Sequence, residues 1–398
     1  MKKFLYITIS LIFLCIGCSG EDQPGGKADM NEGEVKEVGI QLLSRAEAPG
    51  MDDLEPGEAK AIVTDDSFFT PGSILYISQM GSDNNSNPNF SNPDENASPY
   101  MYQYEFYENE AADWDEGYNF EAVTGRKSID WRAVKNLGSV GTAFSFFAMY
   151  FPESESPIFY VNSDQTGAGD KPYDQTRFKQ SDILGANHAT DALFTRMNFR
   201  LFHLMTYLKV TLYVPVYKET VVGDNMSYSG FEPGALTGAY LLGGSTQFNI
   251  EWRANRSPDT EAPLVQSGTT STPIKMYMHQ QEEDDQSITI NVGDYYQDSE
   301  DPTDEVAAYN FSVLFPQPSA NANVQLCFPI TSKDGNVKYY YFYTNNVITS
   351  TGKLNLVQGT LQQLYLYLPR KVNETILVGA KILPWGTSSS DMTVYEEE

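Results

Sequence analysis

Three histidines, three cysteines and 53 acidic residues are what this 398-residue chain offers to chemistry, and their spacing favours none of the common reactions. His188, His203 and His279 stand far apart, with no i, i+4 partner and no cysteine beside them, so no zinc-binding spacing is present. The Asp- and Asn-rich stretches lack the Asp-x-Asp-x-Asp-Gly run, closed by a Glu, that an EF-hand loop needs for calcium. A pair of carboxylates can hydrolyse a glycosidic bond. In so acidic a chain, however, nothing singles out two of them. No nucleophile elbow, phosphate-binding glycine loop or dinucleotide fingerprint occurs. His203 falls on an apolar strand face, where a core or corner histidine is expected rather than a ligand. The expectation is a protein with no catalytic residues, no cofactor and no metal.

The chemistry that can be assigned lies in the first 46 residues. Lys2 and Lys3 precede an almost uninterrupted apolar run from Phe4 to Gly17, which reads as an export signal. The run is short for a bilayer crossing, which takes roughly 20 apolar residues. Cys15-Ile16-Gly17-Cys18 is similar to a bacterial lipoprotein box, with Cys15 where that pattern usually has Leu. Cys18 is then the residue expected to carry the lipid. A polar tether, Ser19 to Gly26, follows it. Val38, Ile40 and Leu42 alternate with Glu37, Gly39 and Gln41, the period of a half-buried strand. That strand ends at Ser44-Arg45-Ala46, and an acidic stretch with Gly and Pro runs on from Glu47 to Lys60. A strand flanked on both sides by accessible chain is built to be removable. Arg45 is thus either a processing site or a solvated linker residue.

These devices sit on a chain with 26 basic and 53 acidic residues, a net charge of −27. Loss of Lys2 and Lys3 with the signal makes it −29. Such a field repels phosphate backbones and anionic lipid, so nucleic acid is excluded as a partner and membrane contact falls to the lipid alone. With the signal removed only Cys18 and Cys327 remain, and an acylated Cys18 has no thiol to pair, so no intrachain disulfide is expected and the core must hold the fold. Aromatic residues, 26 Tyr and 22 Phe among them, supply that core and favour pleated surfaces.

From Pro71 onward the pattern is almost all strand. Ile74 to Met80 is an apolar run, and Tyr100, Tyr102, Tyr104 and Phe106 alternate with their neighbours. Ser128 to Arg132 reads as a short strand carrying Trp131. Ala143 to Phe151 is apolar on both faces, as a central strand buried between two layers must be. Met197, Phe199, Leu201 and His203 hold one register, and Leu208, Val210, Leu212 and Val214 the next, which predicts a bulge or sheet corner near Met205 to Leu208. Further strands are predicted at 247–252, 274–278, 288–292, 308–315, 324–330, 337–343, 364–368 and 376–382. Many short strands between turn signals argue for sandwiches or barrels. The Asn-rich stretch 81–98 and the acidic stretch 293–305 read as inserted loops.

Several local patterns then coincide. The exported, lipidated strand ending at Arg45-Ala46 is followed by Phe144-Ser145-Phe146-Phe147-Ala148-Met149-Tyr150-Phe151-Pro152, by Asp182-Ile183-Leu184-Gly185-Ala186, and by Asn198-Phe199-Arg200-Leu201-Phe202-His203 with Leu208-Lys209-Val210. Leu356-Val357-Gln358-Gly359, Leu364-Tyr365-Leu366-Tyr367-Leu368 and Ile382-Leu383-Pro384-Trp385 close the series. In order and spacing this resembles the fimbrillin family of Bacteroidota surface pili, over nearly the whole chain. The resemblance implies two tandem transthyretin-like Greek-key β-sandwich domains, all-β, at 46–188 and 189–398, behind a signal peptide (1–17) and a lipidated tether with a removable first strand (18–45). It implies a pilus subunit, stalk or tip, that reaches the outer membrane surface on its lipid and is cut by a trypsin-like protease after Arg45. The first strand, with Val38, Ile40 and Leu42, then leaves, and a strand from another subunit fills the groove by β-augmentation. Met392, Thr393, Val394 and Tyr395, in the segment 387–398 and behind the flexible spacer that begins at Gly386 and ends at Ser390, read as the donated strand. The implied partners are other pilus subunits, the protease, the outer membrane and a host or bacterial surface ligand.

Three readings compete with that one. An anchor subunit of the same family would keep its lipid and first strand and ignore Arg45. A monomeric surface glycan-binding lipoprotein would have a fixed first strand, no oligomer ladder and a saturable sugar affinity. A surface hydrolase would show turnover that depends on a carboxylate pair.

Overall fold

The structure, a computed structural model, describes residues 39–44, 71–80, 100–106, 118–129, 139, 144–152, 154, 156–167, 171, 173–190, 196–216, 218–222, 225–229, 231, 235–251, 262–280, 288–291, 303–318, 322–331, 335–344, 348–349, 352–353, 356–368 and 376–384. It is all-β apart from one four-residue helix, α1 (Thr176–Lys179), among the described residues.

The first eight strands are β1 (Gly39–Ser44), β2 (Ile74–Gln79), β3 (Met101–Phe106), β4 (Tyr118–Ala122), β5 (Phe144–Tyr150), β6 (Leu184–Thr190), β7 (Arg196–Arg200) and β8 (Phe202–His203). They form one sheet in the order β7-β1-β4-β3-β2-β5-β6-β8. Every neighbouring pair is antiparallel except β1 and β7. In a flat sheet β7 and β6 would lie about 29 Å apart, six strand spacings. Yet the rings of Phe199 on β7 and His188 on β6 are 5.5 Å apart, and Leu75, Phe120, Phe146, Leu184 and Phe199 share one buried cluster. The sheet therefore rolls around this core. β5 is buried on both faces, as its two-sided apolar sequence predicts: Phe146, Ala148 and Tyr150 join the inner cluster, and Phe147, Met149 and the following Phe151 join the next core.

Sixteen further strands follow among the described residues. They are β9 (Thr206–Pro215), β10 (Lys218–Val222), β11 (Asn225–Ser229), β12 (Tyr240–Leu242), β13 (Phe248–Glu251), β14 (Leu264–Ser267), β15 (Ile274–Lys275), β16 (Tyr277–Met278), β17 (Ile288–Asn291), β18 (Thr303–Phe315), β19 (Gln325–Thr331), β20 (Val337–Tyr343), β21 (Ile348–Thr349), β22 (Gly352–Lys353), β23 (Thr360–Tyr367) and β24 (Ile376–Pro384). One sheet runs β16-β18-β9-β23-β24, with β17 also on β18, and a second runs β15-β12-β19-β20. Their inner faces meet in a common core: Leu208, Val210 and Leu212 of β9 face Leu326, Phe328 and Ile330 of β19, and Phe311 and Phe328 have ring centroids 6.1 Å apart. An edge-on ring series, Tyr76 to Phe151 at 5.8 Å and Phe151 to Phe159 at 5.9 Å, ties the rolled sheet to this core, and Phe159 continues to Phe248 at 5.9 Å.

The phase change predicted near Met205 is a corner where the chain leaves one sheet for another. β8 closes the rolled sheet, Leu204 and Met205 are fully buried, and β9 opens the second half. His188 itself lies inside β6, and the chain leaves the rolled sheet only after His203. Gly185 lies under the end of the Leu204 side chain: a Cβ there would stand 2.9 Å from Leu204 Cδ1, so the leucine would have to shift.

Two predicted strands differ. Of the stretch 128–132, residues 130–132, with Trp131, lie outside the described residues; Ser128 and Ile129 are not strand, and the buried Ile129 N–H donates to the Tyr104 hydroxyl at 2.9 Å, so a side chain takes the place of a ladder there. The stretch 274–278 is two strands, because the chain changes sheet at Met276, whose N–H donates to Ala239 O at 2.9 Å.

Candidate functional site

The first strand is an internal member of the rolled sheet. Ile40 aligns with Phe120 of β4 on one side and Met197 of β7 on the other; Leu42 aligns with Tyr118 and Phe199, and Gln41 with Asn119 and Asn198. The register shifts once, between Leu42 and Ser44, before Ser44 meets Arg200. The aligned neighbours Phe120, Met197 and Phe199 are buried. Neither flanking strand is joined to β1 by a hairpin: β4 follows after more than seventy residues and β7 after more than one hundred and fifty. A single cut on the C-terminal side of Ser44 would therefore separate β1 from the chain that follows it, with its two ladders still pairing it to β4 and β7.

Ile40 and Leu42 are thus brought into one slot. Cys18, Val38, Arg45, Ala46, Met392, Thr393, Val394 and Tyr395 lie outside the described residues. β24, the last strand before the candidate donor segment, pairs with β23 at the margin of its sheet.

The histidines are built into the framework. His203 is fully buried at the corner, with its Nδ1 2.7 Å from Asp182 Oδ1. His279 Nε2 is 2.6 Å from Ser312 Oγ, which is 3.1 Å from the Tyr207 hydroxyl. Burial, then the nearby Lys209 ammonium, brings the His279 pKa down to about 4, so the ring is neutral at pH 7. Burial pushes Tyr207 up to about 12. Ser312 has no exposed surface, so this chain of hydrogen bonds offers no nucleophile to a substrate. Among the described residues no three potential metal ligands cluster.

Sequence reasoning did not find the residues that replace strand pairing with side-chain amides. Gln165, fully buried, donates from Nε2 to Leu314 O at 2.6 Å and accepts the Leu314 N–H at 2.9 Å. Gln358 accepts the Val265 N–H at 2.8 Å and donates to Pro263 O at 2.6 Å. Isolated glutamines in loops carry no pattern that marks such a role.

No protein-family model matches the chain, and no curated protein matches it. Solved structures do. A candidate cell adhesion protein from Bacteroides uniformis aligns over 88% of this chain and 99% of its own, with a TM-score of 0.45 and 13% identity. A second, from Bacteroides ovatus, covers 89% of this chain and 100% of its own, with a TM-score of 0.43 and 11% identity. The tip fimbrial protein Mfa3 from Porphyromonas gingivalis, truncated at its C-terminus, covers 88% and 100%, with a TM-score of 0.34 and 8% identity. These similar structures are thus two candidate cell adhesion proteins and one tip fimbrial protein.

Proposed function

We propose that this chain is a structural or adhesive subunit of a surface pilus, stalk or tip, assembled by exchange of its first strand. The observation that carries the reading is the position of β1: it is bonded on both sides inside the rolled sheet, parallel to β7 and antiparallel to β4. The residues after it, Arg45-Ala46, match the specificity of a trypsin-like protease. Withdrawal of β1 would open two facing backbone edges and uncover the apolar Phe120, Met197 and Phe199; another strand can pair the edges and cover the apolar surface that water leaves unfavourably exposed. Met392 to Tyr395, alternating in pattern and set behind a Gly/Ser-rich spacer, is the segment we assign to that incoming strand. Cys18 would hold the precursor on the outer membrane by its lipid until the cut releases it.

The test is an Arg45→Ala variant made in cells that assemble the wild type. The reading predicts that the variant stays full-length and monomeric at the surface, while the wild type runs as an SDS-resistant ladder on unboiled gels. Equal ladders from both would reject Arg45 as the trigger.

A further inference from the structure

The two walls of the β1 slot are not held alike. β4 is laddered to β3 on its far side, Tyr104 with Ala122, Glu105 with Glu121 and Phe106 with Phe120. β7 ends the sheet and, among the described strands, pairs with β1 alone. Met197 and Phe199, the neighbours of Ile40 and Leu42, both lie on it. Once β1 has left, no ladder among the described residues holds this wall. An incoming strand can pair with both edges only if both still stand in place.

What fixes β7 lies just beyond its C-terminal end. A single residue, the buried Leu201, separates it from β8, which pairs with β6 at two positions, His203 with Leu184 and Phe202 with Gly185. Beside that short ladder, the Leu204 N–H donates to Ile183 O at 2.9 Å, and His203 Nδ1 bonds Asp182 Oδ1 at 2.7 Å with both side chains buried. The carboxylate is itself set by the turn that ends α1: the Asp182 N–H donates to Lys179 O at 2.9 Å and the Ser181 N–H to Phe178 O at 3.0 Å. α1 rests on the second half of the chain, its Phe178 ring 5.6 Å from Tyr207 of β9 and 5.6 Å from Tyr277 of β16. The covalent chain fixes where β7 ends. The Asp182–His203 bond fixes β8 against β6, and with it the direction from which β7 arrives. None of these contacts involves β1 or β4.

We propose that Asp182 and His203 are positioning residues for strand exchange: their buried hydrogen bond keeps β7 in place, and the slot open, between the departure of β1 and the arrival of the next strand. The inference rests on the strand-exchange reading above. While β1 is present, its ladder holds β7 and the bond is redundant for that purpose. After β1 leaves, the share of chains with β7 in place governs the apparent affinity for any strand, since the apparent dissociation constant is the intrinsic one divided by that share.

The test is the dissociation constant of β1 from the full-length protein nicked at Arg45 by trypsin, read by serial dilution as the N-terminal fragment is lost, beside thermal melting of the intact chain. Asp182→Ala should raise that constant about tenfold or more, a common shift when a buried hydrogen bond loses one partner. His203→Phe, which keeps a ring in the buried space, should do the same and serves if the alanine variant does not fold. Left intact, both variants should melt close to the wild type. Asp182→Asn, which keeps an acceptor oxygen, should recover most of the loss. Three results would each overturn the proposal and leave strand exchange standing: an unchanged constant in the variants, intact variants that melt as early as their nicked forms, or no recovery by Asp182→Asn. A wild type that resists the cut, or that neither loses β1 on dilution nor takes up an added peptide of residues 36–46, removes the strand-exchange reading itself and this inference with it.

Discussion

A chain that begins at Ala46 should fold its rolled sheet poorly, and a peptide of residues 36–46 added in trans should restore it. β1 aligns with β4 at three positions and with β7 at five. With about one backbone hydrogen bond per aligned position, each worth ~0.5–1.5 kcal/mol net, the two ladders contribute ~4–12 kcal/mol before any side chain is counted. That spans most of the ~5–15 kcal/mol by which a whole domain is stable. The assay is thermal unfolding of the truncated chain with increasing peptide. The melting temperature should start well below that of the full chain and rise with the logarithm of peptide concentration, as for any ligand that binds only the folded state. The same peptide with Gln41→Pro should fail, because proline removes a ladder donor in the middle of a strand paired on both sides. A truncated chain that melts with the full-length protein and ignores the peptide would refute the argument that β1 holds the sheet together.

Gln165→Leu removes the amide that serves both backbone groups of Leu314 and should cost ~2–6 kcal/mol, read as a lower urea midpoint. Phe147→Ala, at a fully buried site on β5, should cost ~3–5 kcal/mol, whereas Tyr341→Ala, at a cross-strand neighbour of Cys327 that is 43% exposed, should cost no more than ~1 kcal/mol in the same titration. His279 is neutral when folded, with a pKa of about 4 against an ordinary 6.5. Between those values the unfolded chain binds more protons, so stability contributed by this site falls as pH drops through the window, by at most ~1.4 kcal/mol per pH unit. His279→Gln should flatten the wild-type loss of urea midpoint between pH 6.5 and pH 4; an unchanged slope would contradict the assigned burial effect.

Local pattern carried much of the architecture. The two-sided apolar run at Phe144–Tyr150 marked β5 as central, and the phase change after His203 marked the corner, because both depend only on which side of a pleat each residue occupies. Gly39–Ser44 was legible as a strand from Ile40 and Leu42. Its place between β4 and β7 was not, since nothing within a strand encodes partners more than seventy residues away. Ile129 failed as a strand because its apolar neighbourhood reads the same whether a ladder or the Tyr104 hydroxyl takes its N–H. The 274–278 run failed because an unbroken apolar pattern does not reveal a change of sheet at Met276. Which face of β20 is buried was not legible either: Tyr340 and Phe342 are buried while Tyr339, Tyr341 and Tyr343 are exposed, and with aromatics on both faces only the facing sheet decides. The pattern makes His203 a core or corner histidine, as found, but does not name its partner Asp182, which lies 21 residues earlier in the chain.

The central claim is that β1 is released at Arg45 and replaced from another subunit. Limited trypsin digestion of the full-length protein, with N-terminal sequencing of the products and sizing on unboiled gels, tests it most directly. The account predicts one early cut, a new N-terminus at Ala46, and detergent-resistant multimers that appear in step with it. Resistance at Arg45, or cleavage there that leaves a stable monomer, would contradict it.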